Sequence, residues 1–367
     1  MKKLVCIFIC VFVLLNSISV SALDISAQSA VVIDGYSGEI LYSKNCDIRL
    51  PMASTTKIMT ALLLCEMVGD LTAKLVTTRA MVTVEGSSMG LLAGDTVSYY
   101  DLLYGMMLAS GNDAANTTAI AIAGSVSEFV DLMNKRAVSM GLKNTRFVTP
   151  SGLDAEGHYT TAYELALIAK EALSNEIFAQ AASSKTARLY YGNPPYYRTL
   201  TNHNKLLKMY DDVVGVKTGY TKKSGRCLVS ASKKDGKFVI AVTLNDSNDW
   251  RDHRELLDLG LSLVECKVFS PKNQAITLPA ISGADVTVSI PSAVISMTEN
   301  TTVNYVINAP DFLYLPIEKG QEIGEIIYYC NDNKVAALKI SATESLNFKL
   351  NKVVLFFEMF KNIFNCI

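Results

Sequence analysis

The chain has 367 residues, half of them apolar, and a formal net charge of −1. That length accommodates two domains with a sizeable core. The near-neutral balance, with no basic run and no aromatic-basic stripe, argues against nucleic acid as a partner.

In chain order, Lys2-Lys3, the apolar run Leu4 to Leu15 and the small residues Val20-Ser21-Ala22 form a basic, apolar and small-x-small sequence. This is the pattern of an export signal over residues 1–22, with an uncleaved anchor helix as the alternative; either one places the protein outside the cytoplasm. Ala27 to Asp34 and Glu39 to Ser43 read as a strand pair around the turn Gly35-Tyr36-Ser37-Gly38. A helix is expected to begin at or beside Ser54, a good N-cap, because no Gly or Pro follows until Gly69. Residues 76–100 are short β-prone pieces between glycines. Helical patterns then run over Tyr99 to Ile122, broken at Ser110-Gly111-Asn112, over Ser127 to Met140 and over Thr161 to Leu173. Asp212 to Tyr220, Arg226 to Ser232 and Phe238 to Leu244 read as strands, and Arg251 to Glu265 as a helix. Strands at both ends with helices between them give an α+β layer fold.

Composition shifts after about Phe269. Val286 to Ile290, Val303 to Ile307 and Ile323 to Tyr329 read as strands among Gly, Pro and Asn turns, so a small all-β domain is expected. The last stretch is amphipathic at helical spacing. Val353, Phe356, Phe357, Phe360, Ile363, Phe364 and Ile367 share one side, with Asn351, Glu358, Lys361, Asn362 and Asn365 opposite. Packing on its own protein is one reading; the Phe-rich face with flanking lysines favours an interfacial membrane anchor, too polar to span.

Two of the eight cysteines fall in the leader, and the others show no C-x-x-C pair. Neither a zinc site nor a dense disulfide framework is indicated. His158, His203 and His253 are dispersed, so a metal site lacks its ligands and no cofactor is expected.

Chemistry concentrates at Ser54 and Lys57, one helical turn apart and so on one face, which brings a hydroxyl and an amine within reach. A capping serine beside a solvated lysine explains that pair equally well when it is taken alone. Two further stretches decide between the readings: Ser110-Gly111-Asn112 in a helix break and Lys217-Thr218-Gly219 on a strand. S-x-x-K, S-D-N and K-T-G occur together in penicillin-binding proteins and class A β-lactamases, here in the same order with Gly for Asp.

With Ser29 to Asp34, Ser87 to Leu91, Ser110 to Ala115, Ser151 to Asp154 and Gly215 to Thr221, the chain resembles a low-molecular-mass penicillin-binding protein, a serine-type D-alanyl-D-alanine carboxypeptidase. The resemblance implies a β-lactamase/transpeptidase-like catalytic domain, an antiparallel sheet with a helical cluster, over residues 23–268. A small β-rich domain over 269–341 and an amphipathic membrane-anchor helix over 342–367 complete it. It further implies Ser54 as nucleophile, Lys57 as its neutral base, and Ser110 and Asn112 on the opposite wall. Lys217 and Thr218 would bind the terminal carboxylate of a D-Ala-D-Ala stem peptide, Gly219 would admit the substrate backbone, and the N–H groups of Ser54 and Tyr220 would form an oxyanion hole. β-Lactam antibiotics and, through the terminal helix, the outer face of the cytoplasmic membrane are the other implied partners.

Rival readings are a class A-like β-lactamase, a serine glutaminase and a non-catalytic cell-wall-binding relative. The first would need an E-x-x-L-N stretch, of which Glu171 and Asn175 are the nearest miss. Glu164 follows the Gly-Leu-Asp stretch where members of that family carry an acidic residue, with a helix-surface charge as the other reading. His203 stands where some relatives carry Arg, which leaves its substrate role open.

Overall fold

The computed structural model describes residues 23–280, 285–299 and 301–347. Strands β1 (Ser29–Asp34) and β2 (Ile40–Lys44) open the chain, and a helical region follows. That region is interrupted by β3 (Lys74–Val76), β4 (Thr96–Ser98), β5 (Thr186–Gly192) and β6 (Pro195–Thr201). Next come β7 (Val213–Thr221), β8 (Gly225–Lys234), β9 (Lys237–Leu244) and helix Asp249–Leu263. The remainder is all β: β10 (Glu265–Phe269), β11 (Ala275–Pro279), β12 (Asp285–Ser289), β13 (Ala293–Met297), β14 (Val303–Asn308), β15 (Glu322–Cys330) and β16 (Asn333–Ala342).

The central sheet has the order β2-β1-β9-β8-β7 and is antiparallel throughout. The two ends of the α+β pattern thus meet in one sheet, closed by β1 against β9. Side chains alternate across it: Val31, Ile33 and Ile240 point into one core, and Ala30, Val32 and Val239 into another. Helix Ala162–Ser174 covers the first face through Leu165 and Ile168, and helix Asp249–Leu263 covers the second through Leu256 and Leu257. With both faces covered, all six residues of β1 are buried, and each Val or Ile there contributes about 1.5–3 kcal/mol.

Helix Lys57–Met67 runs through the middle of the helical cluster. Its first eight residues are all buried, which explains why it has apolar side chains all round rather than a polar face. Helix Tyr99–Met107 starts at Ser98, whose hydroxyl accepts from Asp101 N while the Asp101 carboxylate accepts from Ser98 N. Among the elements with no counterpart in the sequence reading are helix Glu176–Ser183, capped by Asn175 Oδ1, and the β5–β6 hairpin.

In the small unit, β11-β12-β16-β15-β14 form one sheet and β10 pairs with β13. Val286, Val288, Ile326, Tyr328 and Ile340 are its core, with the rings of Phe269, Tyr305 and Tyr328 at 6.0 to 6.5 Å from one another. Ser296 Oγ donates to buried Asp34 Oδ2 at 2.9 Å and fastens this unit to the β1–β2 turn. The C-terminal helix was expected from residue 342, but Ala342 closes β16 and Leu346 pairs with Ile317, because both backbones find strand partners there. The export signal and residues 348–367 of the expected anchor lie outside the described residues. Among the described residues, no helix is long and apolar enough to cross a membrane, and the cysteines are free thiols.

Candidate active site

The turn at Ser54 differs from the expected helix start. Ala53–Thr56 is a 3-10 turn, the α-helix begins at Lys57, and the Ser54 hydroxyl caps no backbone group. Ala53 has φ of 48°, a left-handed conformation that costs a non-glycine residue of order 1–3 kcal/mol. Neighbours hold it there. Thr56 Oγ1 donates to Ala53 O at 2.8 Å and Thr55 Oγ1 to Met52 O at 2.6 Å. His158 Nδ1 accepts from Val148 N at 2.9 Å, so its proton sits on Nε2 and is donated to Thr56 Oγ1 at 2.8 Å. Burial lowers the His158 pKa to about 4, which keeps the ring neutral in that role. Gly152 closes the turn from outside: a β-carbon on it would lie 1.8 Å from Ala53 O.

Lys57 Nζ lies 3.0 Å from Ser54 Oγ, 2.7 Å from Asn112 Oδ1 and 2.6 Å from Ser151 O. A neutral amine has two N–H donors and one lone pair. The two carbonyl oxygens take the donors, which leaves the lone pair for the Ser54 hydroxyl. Burial pushes the Lys57 pKa well below its ordinary value, the Lys217 cation pushes it further down, and Asp113 opposes them. Asn112 is itself fixed, with Nδ2 donating to Glu85 O and its backbone N donating to Ser87 O, both at 2.7 Å. Ser110, with φ of 57°, is the residue that breaks the helices and turns its side chain to the cleft.

Strand β7 supplies the facing wall. A β-carbon on Gly219 would meet Ser54 N at 3.0 Å and Thr55 N at 3.1 Å, so the glycine is required by the approach of the strand to the Ser54 turn. On sequence that glycine was expected to admit the substrate. Lys217 is 1 % exposed, donates to Thr218 O at 2.9 Å, and is held by burial at a pKa of about 7. Its influence on the cleft is therefore electrostatic, while the neighbouring Thr218, Gly219 and Tyr220 line the cleft directly.

The cleft encloses about 570 Å³ and is lined, around Ser54, by Ser87, Ser110, His203, Arg226, Asp249 and Trp250 as well as by the β7 residues. His203, open on sequence, belongs to this lining; burial first and then Lys217 lower its pKa. The remaining lining residues were missed, since Arg226 and Trp250 carry no local motif. Arg226 Nε meets the buried Asp249 carboxylate at 3.2 Å, which places an ion pair in the cleft lining. Two acidic residues are clarified. Glu164 is buried and accepts from Lys143 N, Asn144 N and Thr145 Oγ1, a loop clamp instead of a surface charge. Glu171 is ion-paired with Arg136 on the exterior. Among the described residues, no acidic or histidine cluster could hold a metal.

This arrangement matches known proteins along nearly the whole chain. The family model for D-alanyl-D-alanine carboxypeptidase matches residues 16–248, and that for the penicillin-binding protein 5 C-terminal domain matches residues 254–347. The chain is 34% identical over 340 residues to D-alanyl-D-alanine carboxypeptidase DacF of Bacillus subtilis, covering 89% of this chain and 87% of that one. It is 30% identical over 358 residues to DacC of Escherichia coli, with 89% and 86% covered. Among solved structures, penicillin binding protein 5 from Haemophilus influenzae superposes with a TM-score of 0.65 at 26% identity, over 90% of this chain and 100% of that one. The Streptomyces K15 DD-transpeptidase gives a TM-score of 0.62 at 33% identity, over 65% and 98%. With its paired lysines, its Ser54 turn and its trailing β unit, the chain belongs to the D-alanyl-D-alanine carboxypeptidase family of serine hydrolases.

Proposed function

We propose that this carboxypeptidase removes the terminal D-alanine of peptidoglycan stem peptides with Ser54 as the acylated residue. The observation that carries the assignment is the geometry of Lys57 Nζ, 3.0 Å from Ser54 Oγ with both N–H donors engaged elsewhere and with its pKa depressed. Neutral Lys57 takes the Ser54 proton as Oγ bonds to the carbonyl carbon of the penultimate D-alanine. Negative charge develops on the carbonyl oxygen, which the backbone N–H groups of Ser54 and Tyr220 receive; one such donor is worth about 10²–10³ in rate. The C–N bond then breaks. Ser110 relays the proton from Lys57 to the departing amine, D-alanine leaves, and water resolves the ester with Lys57 again as base. Thr218 donates to the terminal carboxylate within the field of Lys217, and Asn112 holds Lys57 in register.

β-Lactams enter the same route, and their ring opening leaves an ester on Ser54. Among the described residues no glutamate lines the cleft, and the carboxylate that does, Asp249, is paired with Arg226, so the ester lacks a second base to speed its hydrolysis. Intact-mass analysis of the full chain after exposure to penicillin is expected to show a long-lived adduct that maps to Ser54. It should be absent in Ser54→Ala, which also releases no D-alanine. An adduct that persists in Ser54→Ala would remove Ser54 from the mechanism.

In the same reading, residues 1–22 direct export, and the segment after residue 347 lies on its Phe-rich face in the interface between the cytoplasmic membrane and the water outside it. Support comes from the basic-apolar-small leader and the one-sided spacing of Phe356, Phe357, Phe360 and Phe364. Deleting residues 348–367 is expected to move the protein from the membrane to the soluble fraction with carboxypeptidase activity retained. Fractionation that leaves the truncated protein with membranes would refute the anchor.

A further inference from the structure

We propose that the outward face of the β5–β6 hairpin is a docking platform for the glycan strand of peptidoglycan, separate from the cleft that takes the stem peptide. The register pairs Tyr190 with Tyr197 and Arg188 with Thr199, so these four side chains share one face, while Leu189 and Tyr191 point into the core. Tyr190 and Tyr197 are 48% and 60% exposed, and their ring centroids lie 4.8 Å apart at an interplanar angle of 48°. The Arg188 guanidinium caps the row, 4.0 Å above the Tyr197 ring. Strand β6 is the outer edge of its four-stranded sheet, and no described element covers the row.

The chemistry of this face selects its occupant. Pyranose rings present apolar C–H faces with hydroxyl and N-acetyl groups around the rim, and they stack on tyrosine rings while the rim finds polar partners. Arg188 donates only, and Thr199 donates and accepts, so the rim of the platform suits hydroxyl and amide oxygens. A lipid layer would call for Leu, Ile or Phe here. Instead the outward positions that flank the tyrosines are Thr186, Arg188, Thr199 and Thr201, all at least partly exposed.

Position supplies the second argument, and it rests on peptidoglycan as the substrate. Tyr191 OH donates to Met89 O and Arg198 Nη1 to Gly90 O, each at 2.6 Å. Asp113 accepts from the backbone N of Met89, Gly90 and Leu91, and Ser87 lines the cleft. The hairpin is thus fastened to one wall of the cleft through a single braced loop. A stem peptide in that cleft is covalently joined to a glycan, and a platform fastened to the same wall meets the strand that carries it.

The test compares the full chain with Tyr190→Thr/Tyr197→Thr, which keeps strand-forming residues at both positions. Three readouts are taken: binding to peptide-free glycan strands released by an amidase, D-alanine release from intact sacculi, and D-alanine release from a short acyl-D-Ala-D-Ala peptide. The double variant is expected to bind the glycan strands roughly tenfold more weakly, to lose several-fold in rate on sacculi, and to match the wild type on the short peptide. Equal glycan binding by the two proteins, or no saturable binding by the wild type, overturns the platform. An equal loss on both substrates also overturns it, since that would mark damage to the cleft. Failure of the wild type to act on the short peptide would instead count against the proposed function.

Discussion

At Lys57 the protonation state follows from burial and from two charged side chains, Lys217 acting with burial and Asp113 against it. A base must be neutral, so the acylation rate is expected to climb as pH rises through the Lys57 ionisation and then to level off. In Lys217→Gln a positive charge is lost, Lys57 holds its proton more firmly, and the rising limb of kcat/KM should move to higher pH. A limb that stays in place would show that Lys217 acts only on substrate. Lys57→Arg tests the base itself: the side chain stays charged at any working pH, and penicillin acylation is expected to fall by about 10² or more, within the range for loss of a general base. Ser54 and Lys57 were legible because their contact depends on three residues of chain. The need for a depressed amine, with Lys217 and burial lowering it, was legible too; the Ser151 carbonyl that takes one of its N–H donors was not, because that contact joins residues 94 positions apart.

The proposed mechanism requires strand β7 and the Ala53–Thr56 turn to approach closely, so that the N–H groups of Ser54 and Tyr220 face one site. Gly219→Ala places a methyl 3.0 Å from Ser54 N and 3.1 Å from Ala53 Cβ, contacts that backbone atoms cannot relieve by rotating a side chain. Acylation is expected to fall roughly 10²-fold from the displacement, with a stability loss of about 1–3 kcal/mol from overpacking. Denaturant unfolding and penicillin acylation measured on the same protein separate the two, and unchanged acylation would mean that this approach is not catalytic. Many elements could be read from the sequence: the apolar runs of β8 and β9 and the one after Lys57 have one arrangement that buries them. The β5–β6 hairpin was hidden because aromatic residues occupy both faces, Tyr190 and Tyr197 outside and Tyr191 inside, which erases the period of two. Its anchorage at Met89 O and Gly90 O is a tertiary fact with no local signature.

Across the whole molecule, pH dependence of stability is set by buried groups whose protonation changes on unfolding. His253 lies wholly within the fold beside the hydroxyls of Ser230 and Thr243, and burial lowers its pKa to about 3; His158 is lowered to about 4. Unfolded, each binds a proton at about 6.5. Between those values the unfolded chain holds more protons than the native one, so stability rises with pH there and is lost progressively below about pH 6.5. Lys217 acts with the same sign in a higher window, from about 7 to its unfolded value near about 10.4. Asp34 acts oppositely: burial raises its pKa, the native state holds the extra proton, and its contribution falls as pH rises from about 3.8 toward the raised value. Stability by denaturant unfolding is therefore expected to be lower at pH 5 than at pH 7, by about 2 kcal/mol for each of the two histidines. His253→Gln lowers stability at both pH values but should flatten the slope between them. Parallel slopes for the two proteins would mean that His253 is protonated in the fold, with its two hydroxyl partners both accepting.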